Sequence, residues 1–261
     1  MLIQTTLREK LTQGLPVIGT WNTLAAPLLT EVMAQAGFDF QIIDLEHGPF
    51  ILDQVHLHVS ACEGGTNCSP LVRIPTNEPW MALQALDQGA HGVVVPHIQN
   101  ARAAQGLVQA IKYHPSGMRG FTPFSKAGGF SNHRTAEYVR VANRETQGVC
   151  IVESLEGLAN VEEIAAQDGI DVIYFGAYDL SQALGHPGEP RHPDVVAAIR
   201  QGIESVQRQK KCAGGFVPQS KDDIKWLLDM GMRFITYEVD SSILFRHIQD
   251  LRNWFATEAA K

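Results

Sequence analysis

Two carboxylates, Glu153 and Asp179, each close a short apolar run of this 261-residue chain, VCIVES (149–154) and DVIYFGAYDL (171–180). A carboxylate at the end of a buried segment adds nothing to packing, and burying it without a partner is costly. Two of them on neighbouring strands can share a divalent cation, which removes that penalty. Oxygen-only ligation with few protein ligands suits Mg²⁺ or Mn²⁺ completed by water and substrate, not structural Zn²⁺. The residues leave a second reading open, in which Asp179 caps a helix starting at Leu180 and Glu153 pairs with an arginine.

Arg73, in PLVRIP (70–75), also ends a strand. A guanidinium there suits bidentate recognition of a carboxylate or stabilisation of a developing oxyanion. A structural salt bridge to Glu46 or Glu153 is compatible with either role. Glu46-His47-Gly48-Pro49 follows the run FDFQIIDLEH (38–47), and a histidine at that point titrates in the range useful for proton transfer. The chain has ten histidines, so type alone leaves His47 evenly balanced between catalysis and mere polarity. Asp44 reads as a structural carboxylate of the strand. Trp21 reads as core or as the wall of a small pocket, and His97 stays ambiguous for the same reasons. Spacing does not decide whether Arg119 and Lys126 touch substrate or a neighbouring subunit.

Absences narrow the chemistry. No lysine lies inside or at the end of a predicted strand, and Lys211 precedes the run CAGGFV on the face opposite the chemistry. A Schiff-base mechanism is therefore disfavoured. No GxSxG, P-loop or pair of histidines at helical spacing is present. No glycine cradle for phosphate follows either of the last two runs. Metal-assisted chemistry at a carbon electrophile fits best.

These side chains need a scaffold that gathers strand ends, and the chain has eight candidate strands. The runs are PVIGTW (16–21), FDFQIIDLEH, PLVRIP, HGVVVPHI (91–98), VCIVES, DVIYFGAYDL, CAGGFV (212–217) and FITYEV (234–239). They are continuous rather than alternating, as expected of parallel strands covered on both faces. Helical patterns separate them. PLLTEVMAQAG places Leu28, Leu29, Val32, Met33 and Ala36 on one face and stops at Gly37. Pro79 opens a helix ending at Gly89, Asn100 caps another, and Ser220 to Asp223 form a capping-box pattern stopped at Gly231. A last helix is expected near 241–256. The excursion after the fourth strand holds a helix near 101–112 and then a Gly/Pro/aromatic stretch read as a functional loop or oligomer contact. The expectation is one (β/α)₈ TIM barrel over residues 1–261, with its chemistry at the carboxyl ends of the strands. A doubly wound open sheet would need a glycine fingerprint after its first strand, and GTWNTLAAP is not GxGxxG.

Bulk properties agree. With 44% hydrophobic and 19% charged residues, the chain is globular. Its net charge of −7, without a basic run, argues against a nucleic-acid binder. No apolar stretch reaches the roughly 20 residues of a membrane span. The amino terminus lacks a secretory pattern, and the four cysteines show no CxxC spacing. Reduced thiols in a cytoplasmic protein, with no zinc site, are expected.

The sequence resembles the HpcH/HpaI aldolase family of metal-dependent class II 2-oxo-acid aldolases. Its 4-hydroxy-2-oxoheptanedioate and 2-keto-3-deoxy-sugar-acid aldolases share a phosphoenolpyruvate/pyruvate-domain-like (β/α)₈ barrel. The matching segments are GTW at 19–21, FDFQIIDLEHGP at 38–49, LVRIP at 71–75, LDQGAHGVVVPHIQNARAA at 86–104 and GMRGF at 117–121. They continue with IVES at 151–154, GIDVIYFGAYDLSQALGHPG at 169–188 and HPDV at 192–195. The resemblance implies an enzyme, a carbon–carbon lyase, that reversibly cleaves a 4-hydroxy-2-oxo acid to pyruvate and an aldehyde. It implies Glu153 and Asp179 as ligands of Mg²⁺, or of Mn²⁺ or Co²⁺, and His47 in proton transfer through water. Arg73 would stabilise the enolate and aldol oxyanion, and backbone N–H groups of Ala177, Tyr178 and Asp179 would bind the substrate carboxylate. Trp21 would line the mouth. A hexamer, as a dimer of trimers with C-terminal helices exchanged between subunits, is implied as well.

Three positions depart from that pattern. Ile151 stands where the family has a glutamine contacting substrate. Tyr178 makes the turn before the metal aspartate bulky, and Glu238 replaces a small residue near the end of the eighth strand. Two alternatives follow: a citrate-synthase-like enzyme condensing oxaloacetate with acetyl-CoA in siderophore assembly, or a weakened oxo-acid-binding relative.

Overall fold

The computed structural model describes residues 6–64, 66–133 and 135–261. Its strands are β1 (Val17–Asn22), β2 (Phe40–Asp44), β3 (Ser69–Arg73), β4 (Gly92–Val95), β5 (Gln147–Val152), β6 (Val172–Phe175), β7 (Cys212–Gly215) and β8 (Phe234–Val239). All pair in parallel in sequence order, and β8 returns to β1 to close the barrel. This is the expected (β/α)₈ architecture, with helices between the strands.

The two faces of each strand explain why the runs are continuously apolar. Val149, Ile151, Val172 and Tyr174 point into the barrel with Trp21, Phe40, Ile42, Leu71, Val94 and Phe234. Their neighbours Cys150, Val152, Ile173 and Phe175 point outward into the layer of helices. Successive strand residues alternate sides, so a strand buried on both must be apolar throughout. Phe40 and Phe234 stack inside the barrel with centroids 4.0 Å apart.

Predicted punctuation is largely found. Gly37, Gly89 and Gly231 take positive φ (103°, 99° and 96°) just past helices Pro27–Gln35, Pro79–Asp87 and Lys221–Asp229. Asn100 accepts from Ala103 N and Ser220 from Asp223 N, capping helices Ala101–Ile111 and Lys221–Asp229. All four cysteines are buried free thiols. No helix among the described residues is long and apolar enough to cross a membrane.

Three features differ from expectation. Helix Thr6–Thr12 plugs the bottom of the barrel with Leu7 and Leu11, and it is pinned by Arg8 to Asp171 and Lys10 to Asp39. Its two apolar positions are too few to announce it. Helix Thr135–Glu145 fills the excursion before β5 and buries only Ala142 and Glu145, and the sequence reading did not place it. The third is a correction. Helix Pro27–Gln35 buries Thr30, Met33 and Ala34, whereas Leu28 and Val32 of the expected face are 71% and 57% exposed. The inward face is mixed, Met33 and Ala34 beside Thr30, whose Oγ1 meets the Asn22 amide at 2.6 Å and His58 Nδ1 at 2.7 Å.

The excursion packs on itself. Arg119 is buried, bonds Asp87 at 2.6 Å and lies over the Tyr113 ring, while Lys126 pairs with Glu63. Both pin the loop to the barrel's flank. The final helix, Asp240–Ala259, buries only Asp240 and exposes Leu244, Phe245, Ile248, Leu251, Trp254 and Phe255.

Candidate active site

Asp44, the last residue of β2, organises one side of the barrel mouth. Its carboxylate is buried and receives Arg73 Nε at 2.7 Å and Nη2 at 2.5 Å. The same Oδ1 accepts the backbone N–H groups of Glu46 and His47. One side chain thus aims the guanidinium and shapes the turn that follows the strand. The remaining Arg73 nitrogen, Nη1, lies 3.2 Å from Glu46 Oε2. A structural salt bridge of Arg73 to Glu46 therefore exists, and Asp44 is its stronger partner.

Beneath Arg73 lies Trp21, with the guanidinium carbon 4.3 Å from the centre of the Trp21 rings. Trp21 is 5% exposed and donates its indole N–H to Tyr174 Oη at 3.4 Å. Tyr174 in turn donates to the carbonyl of Phe216 and meets Thr236 Oγ1 at 2.7 Å. Trp21 is thus a floor under the arginine, joined to a polar column inside an otherwise apolar barrel.

Across the mouth, Glu153 directly follows β5 and its side chain is 8% exposed. Oε1 accepts the backbone N–H of His97 at 2.8 Å and lies 2.7 Å from His97 Nδ1. The other His97 nitrogen is 3.8 Å from Glu46 Oε1, so the imidazole spans from β2 to β5. Gly176 makes room for the carboxylate, since a Cβ there would fall 2.8 Å from Glu153 Cβ and 2.9 Å from Oε2. Burial raises the Glu153 pKa above the usual carboxylate range, and the charges of Asp179 and Glu46 raise it further while His97 opposes them.

Asp179 sits in the first turn of helix Ala177–Ala183, exposed. Its carboxylate has no hydrogen-bond or ion-pair partner among the described residues. The N-cap of that helix is Gly176, so the capping reading of Asp179 is wrong. Glu153 pairs with a histidine and not with an arginine, which removes the other half of that reading. Ala177 is buried and Tyr178 is 51% exposed. Tyr178 lines a cavity of about 670 Å³ with Arg191, His192, Phe216 and Trp226.

His47 stands at the rim with its side chain 70% exposed, Nε2 4.0 Å from Glu46 Oε2. Ile151 is 2% exposed, inside the barrel below Glu153. Glu238 turns away from the mouth: it is buried, and its oxygens accept from Ser242 Oγ and Arg246 Nη1, both at 2.8 Å. It anchors the last helix. Arg119 and Lys126 lie on the flank, outside this constellation.

His97, Phe216 and Glu238, at the ends of β4, β7 and β8, are non-glycine residues with φ of 57°, 58° and 48°. Such conformations persist where surrounding structure over-determines them, and they cluster at functional sites. The residues alone did not reveal the role of His97, and of Glu46 they showed only the pairing with Arg73. Glu46 has a sequence signal, a second acid just past a strand that already ends in Asp44. His97 has only its place at a strand end.

The donor set fits a divalent cation. Glu153 is a buried carboxylate with Asp179 and Glu46 adding negative charge, while Arg73 is shared between Asp44 and Glu46. An oxygen-rich, acid-heavy mouth of this kind is stabilised by a hard cation.

A family profile described as HpcH/HpaI aldolase/citrate lyase matches residues 17–246. The chain is 35% identical to hydroxypyruvate/pyruvate aldolase of Pseudomonas aeruginosa over 95% of its own length and 91% of that protein's. Among solved structures it resembles an HpcH/HpaI aldolase/citrate lyase family protein from Burkholderia cenocepacia, with TM-score 0.91 and 30% identity over 97% of this chain and 99% of that one. It also resembles citrate synthase SbnG, with TM-score 0.87 and 27% identity over 98% and 99%. The chain belongs to the HpcH/HpaI aldolase/citrate lyase family.

Proposed function

We propose that this protein is a divalent-metal-dependent aldolase that reversibly cleaves a 4-hydroxy-2-oxo acid to pyruvate and an aldehyde. The observation that carries the reading is the buried Glu153 carboxyl beside Asp179, facing the Asp44-held Arg73 across the mouth. Glu153 and Asp179 would hold the cation, which supplies Lewis-acid polarisation of the 2-oxo group. Mg²⁺ suits the oxygen donors, and Mn²⁺ or Co²⁺ are further occupants.

In the cleavage direction a base removes the 4-hydroxyl proton, the C3–C4 bond breaks, and its electron pair passes to C3 and the 2-oxo oxygen. Arg73 stabilises the negative charge that develops on oxygen, as a fixed donor already oriented by Asp44 and Trp21. His47, exposed at the rim, relays the proton through water and leaves room for an aldehyde to depart. C3 is then protonated, giving pyruvate. The backbone N–H groups of Ala177, Tyr178 and Asp179 bind the substrate carboxylate at the start of their helix. Trp21 contributes the floor.

Ile151 supports a second reading, because no amide occupies its position beside Glu153 and one structural relative is a citrate synthase. In that reading oxaloacetate condenses with acetyl-CoA. Pyruvate release from 4-hydroxy-2-oxo acids, abolished by EDTA and in Glu153→Ala, tests the aldolase. Thiol release from acetyl-CoA and oxaloacetate without pyruvate formation would replace it with the condensing enzyme.

The assembly we propose is a hexamer, a dimer of trimers with C-terminal helices exchanged. The apolar side chains that helix Asp240–Ala259 exposes support it. The buried free thiols support a cytoplasmic setting.

A further inference from the structure

Outside the barrel mouth, three metal-capable side chains converge on the segment between helices Ala177–Ala183 and Pro193–Arg208. The candidate ligand atoms of His186, His192 and Asp194 all lie within 4.8 Å of one another. Backbone bonds fix the segment: His186 N to Ser181 O at 2.7 Å, Glu189 N to His186 O at 3.0 Å and His192 N to Glu189 O at 2.9 Å. These turns stack the two imidazoles, with centroids 3.4 Å apart and planes within 14° of parallel. His186 Nε2 lies 3.1 Å, and His192 Nδ1 3.6 Å, from the same Asp194 Oδ2.

The protonation demanded by the helix cap sharpens this. His192 is the N-cap of helix Pro193–Arg208, and its Nδ1 accepts the backbone N–H of Asp194 at 3.3 Å. That nitrogen is therefore unprotonated, and a cation taking up its lone pair would replace the Asp194 N–H as its partner. Asp194 Oδ2, 3.6 Å from that nitrogen and 3.1 Å from His186 Nε2, would be the carboxylate donor to the same cation. The three side chains are 27%, 28% and 69% exposed, which leaves coordination positions for water.

We propose that His186, His192 and Asp194 form a second cation site, selective for a transition ion such as Zn²⁺ or Co²⁺. Two imidazole nitrogens and one carboxylate oxygen with an open position match those ions, unlike the oxygen-only donors Glu153 and Asp179. His192 and Arg191 line the cavity beside Tyr178. An ion here would clip the segment to the next helix and fix that cavity's wall.

The test is Zn²⁺ titration by calorimetry on the Glu153→Gln/Asp179→Asn protein, whose two proposed metal ligands at the mouth are neutral. The expected result is one equivalent of Zn²⁺ bound, unaffected by millimolar-range Mg²⁺. Adding His192→Asn keeps a capping side chain but removes the imidazole. It should weaken Zn²⁺ by at least the roughly 10–100-fold typical of changes that only support a ligand. His186→Gln should do the same, and the metal-free melting temperature serves as the control for folding. No Zn²⁺ bound to the mouth-silenced protein, or binding unchanged by His192→Asn and His186→Gln in folded protein, would overturn the proposal and leave a hydrogen-bonded helix cap. Because the mouth is silenced throughout, neither result bears on the aldolase reading.

Discussion

Glu153 and His97 meet at a single oxygen: Oε1 accepts the backbone N–H of His97 at 2.8 Å and lies 2.7 Å from its ring Nδ1. Oε2 is left lying against Gly176, at the start of the helix that carries Asp179. The carboxylate is thereby oriented before any ligand arrives, with one oxygen secured by the loop after β4 and the other beside Gly176.

Metal should therefore stabilise the fold through Glu153. At a hundredfold excess over its dissociation constant, a ligand of the native state adds roughly 2.7 kcal/mol. Mg²⁺ or Mn²⁺ should raise the melting temperature of the wild-type protein and leave Glu153→Gln unmoved. An equal rise in both would show that the cation binds elsewhere.

Arg73 and Asp44 should separate activity from stability. Arg73→Lys keeps a charge but loses the planar fork held by Asp44, and loss of a positioned oxyanion donor costs roughly 100-fold or more in turnover. Asp44→Ala leaves a largely buried guanidinium and two turn N–H groups without their acceptor, and should cost about 3–5 kcal/mol. Urea denaturation and pyruvate-release kinetics on the two variants check both outcomes.

Ile151→Gln restores an amide below Glu153. One added hydrogen bond is worth about 1 kcal/mol, roughly a fivefold gain in affinity. Pyruvate should bind metal-loaded Ile151→Gln more tightly by calorimetry, with a loss of stability because the position is 2% exposed. Unchanged pyruvate affinity would show that this residue does not reach the substrate.

Lys112 should give the fold a distinctive alkaline pH dependence. Its ammonium is buried against the carbonyls of Asn143 and Thr146, and burial lowers its pKa from 10.5 to about 8. Arg8 and Lys211 push the same way, while Asp171 and Glu145 oppose. Between those two values the unfolded chain holds a proton that the folded chain has released, so stability rises with pH across that window. Below about 8 both states are protonated and this contribution has no slope. Relative to Lys112→Met, the wild type should gain up to about 3 kcal/mol between pH 8 and 10.5. A flat difference across that range would contradict the assignment.

The last helix should govern assembly. Phe245→Asp/Trp254→Asp places charge on its exposed apolar side and should reduce the mass measured by light scattering to a smaller species. Glu238→Ala should lower the melting temperature by loosening the helix seat at Ser242 and Arg246. Its side chain faces away from the mouth, so KM should change little.

Much of this protein could be read from sequence because parallel strands buried on both faces must be apolar throughout, and eight such runs separated by helices leave few topologies. Glu153, Asp179 and Arg73 stood out for the same reason, as polar residues where packing has no use for them, whereas His47 was singled out only by the family resemblance. Tertiary structure decided what those residues hold. Asp44 sits in a strand and reads as structural, yet it aims Arg73 and the Glu46–His47 turn. His97 reaches Glu153 from a different strand, and Glu238 turns toward a helix instead of the mouth. Helix Pro27–Gln35 shows the same limit, since Leu28 and Val32 face out while Thr30, beside buried Met33 and Ala34, meets a buried histidine. Strand periodicity is local and fixes which side a residue faces. Hydrogen-bond partners 29 and 56 positions away are chosen only when the barrel closes.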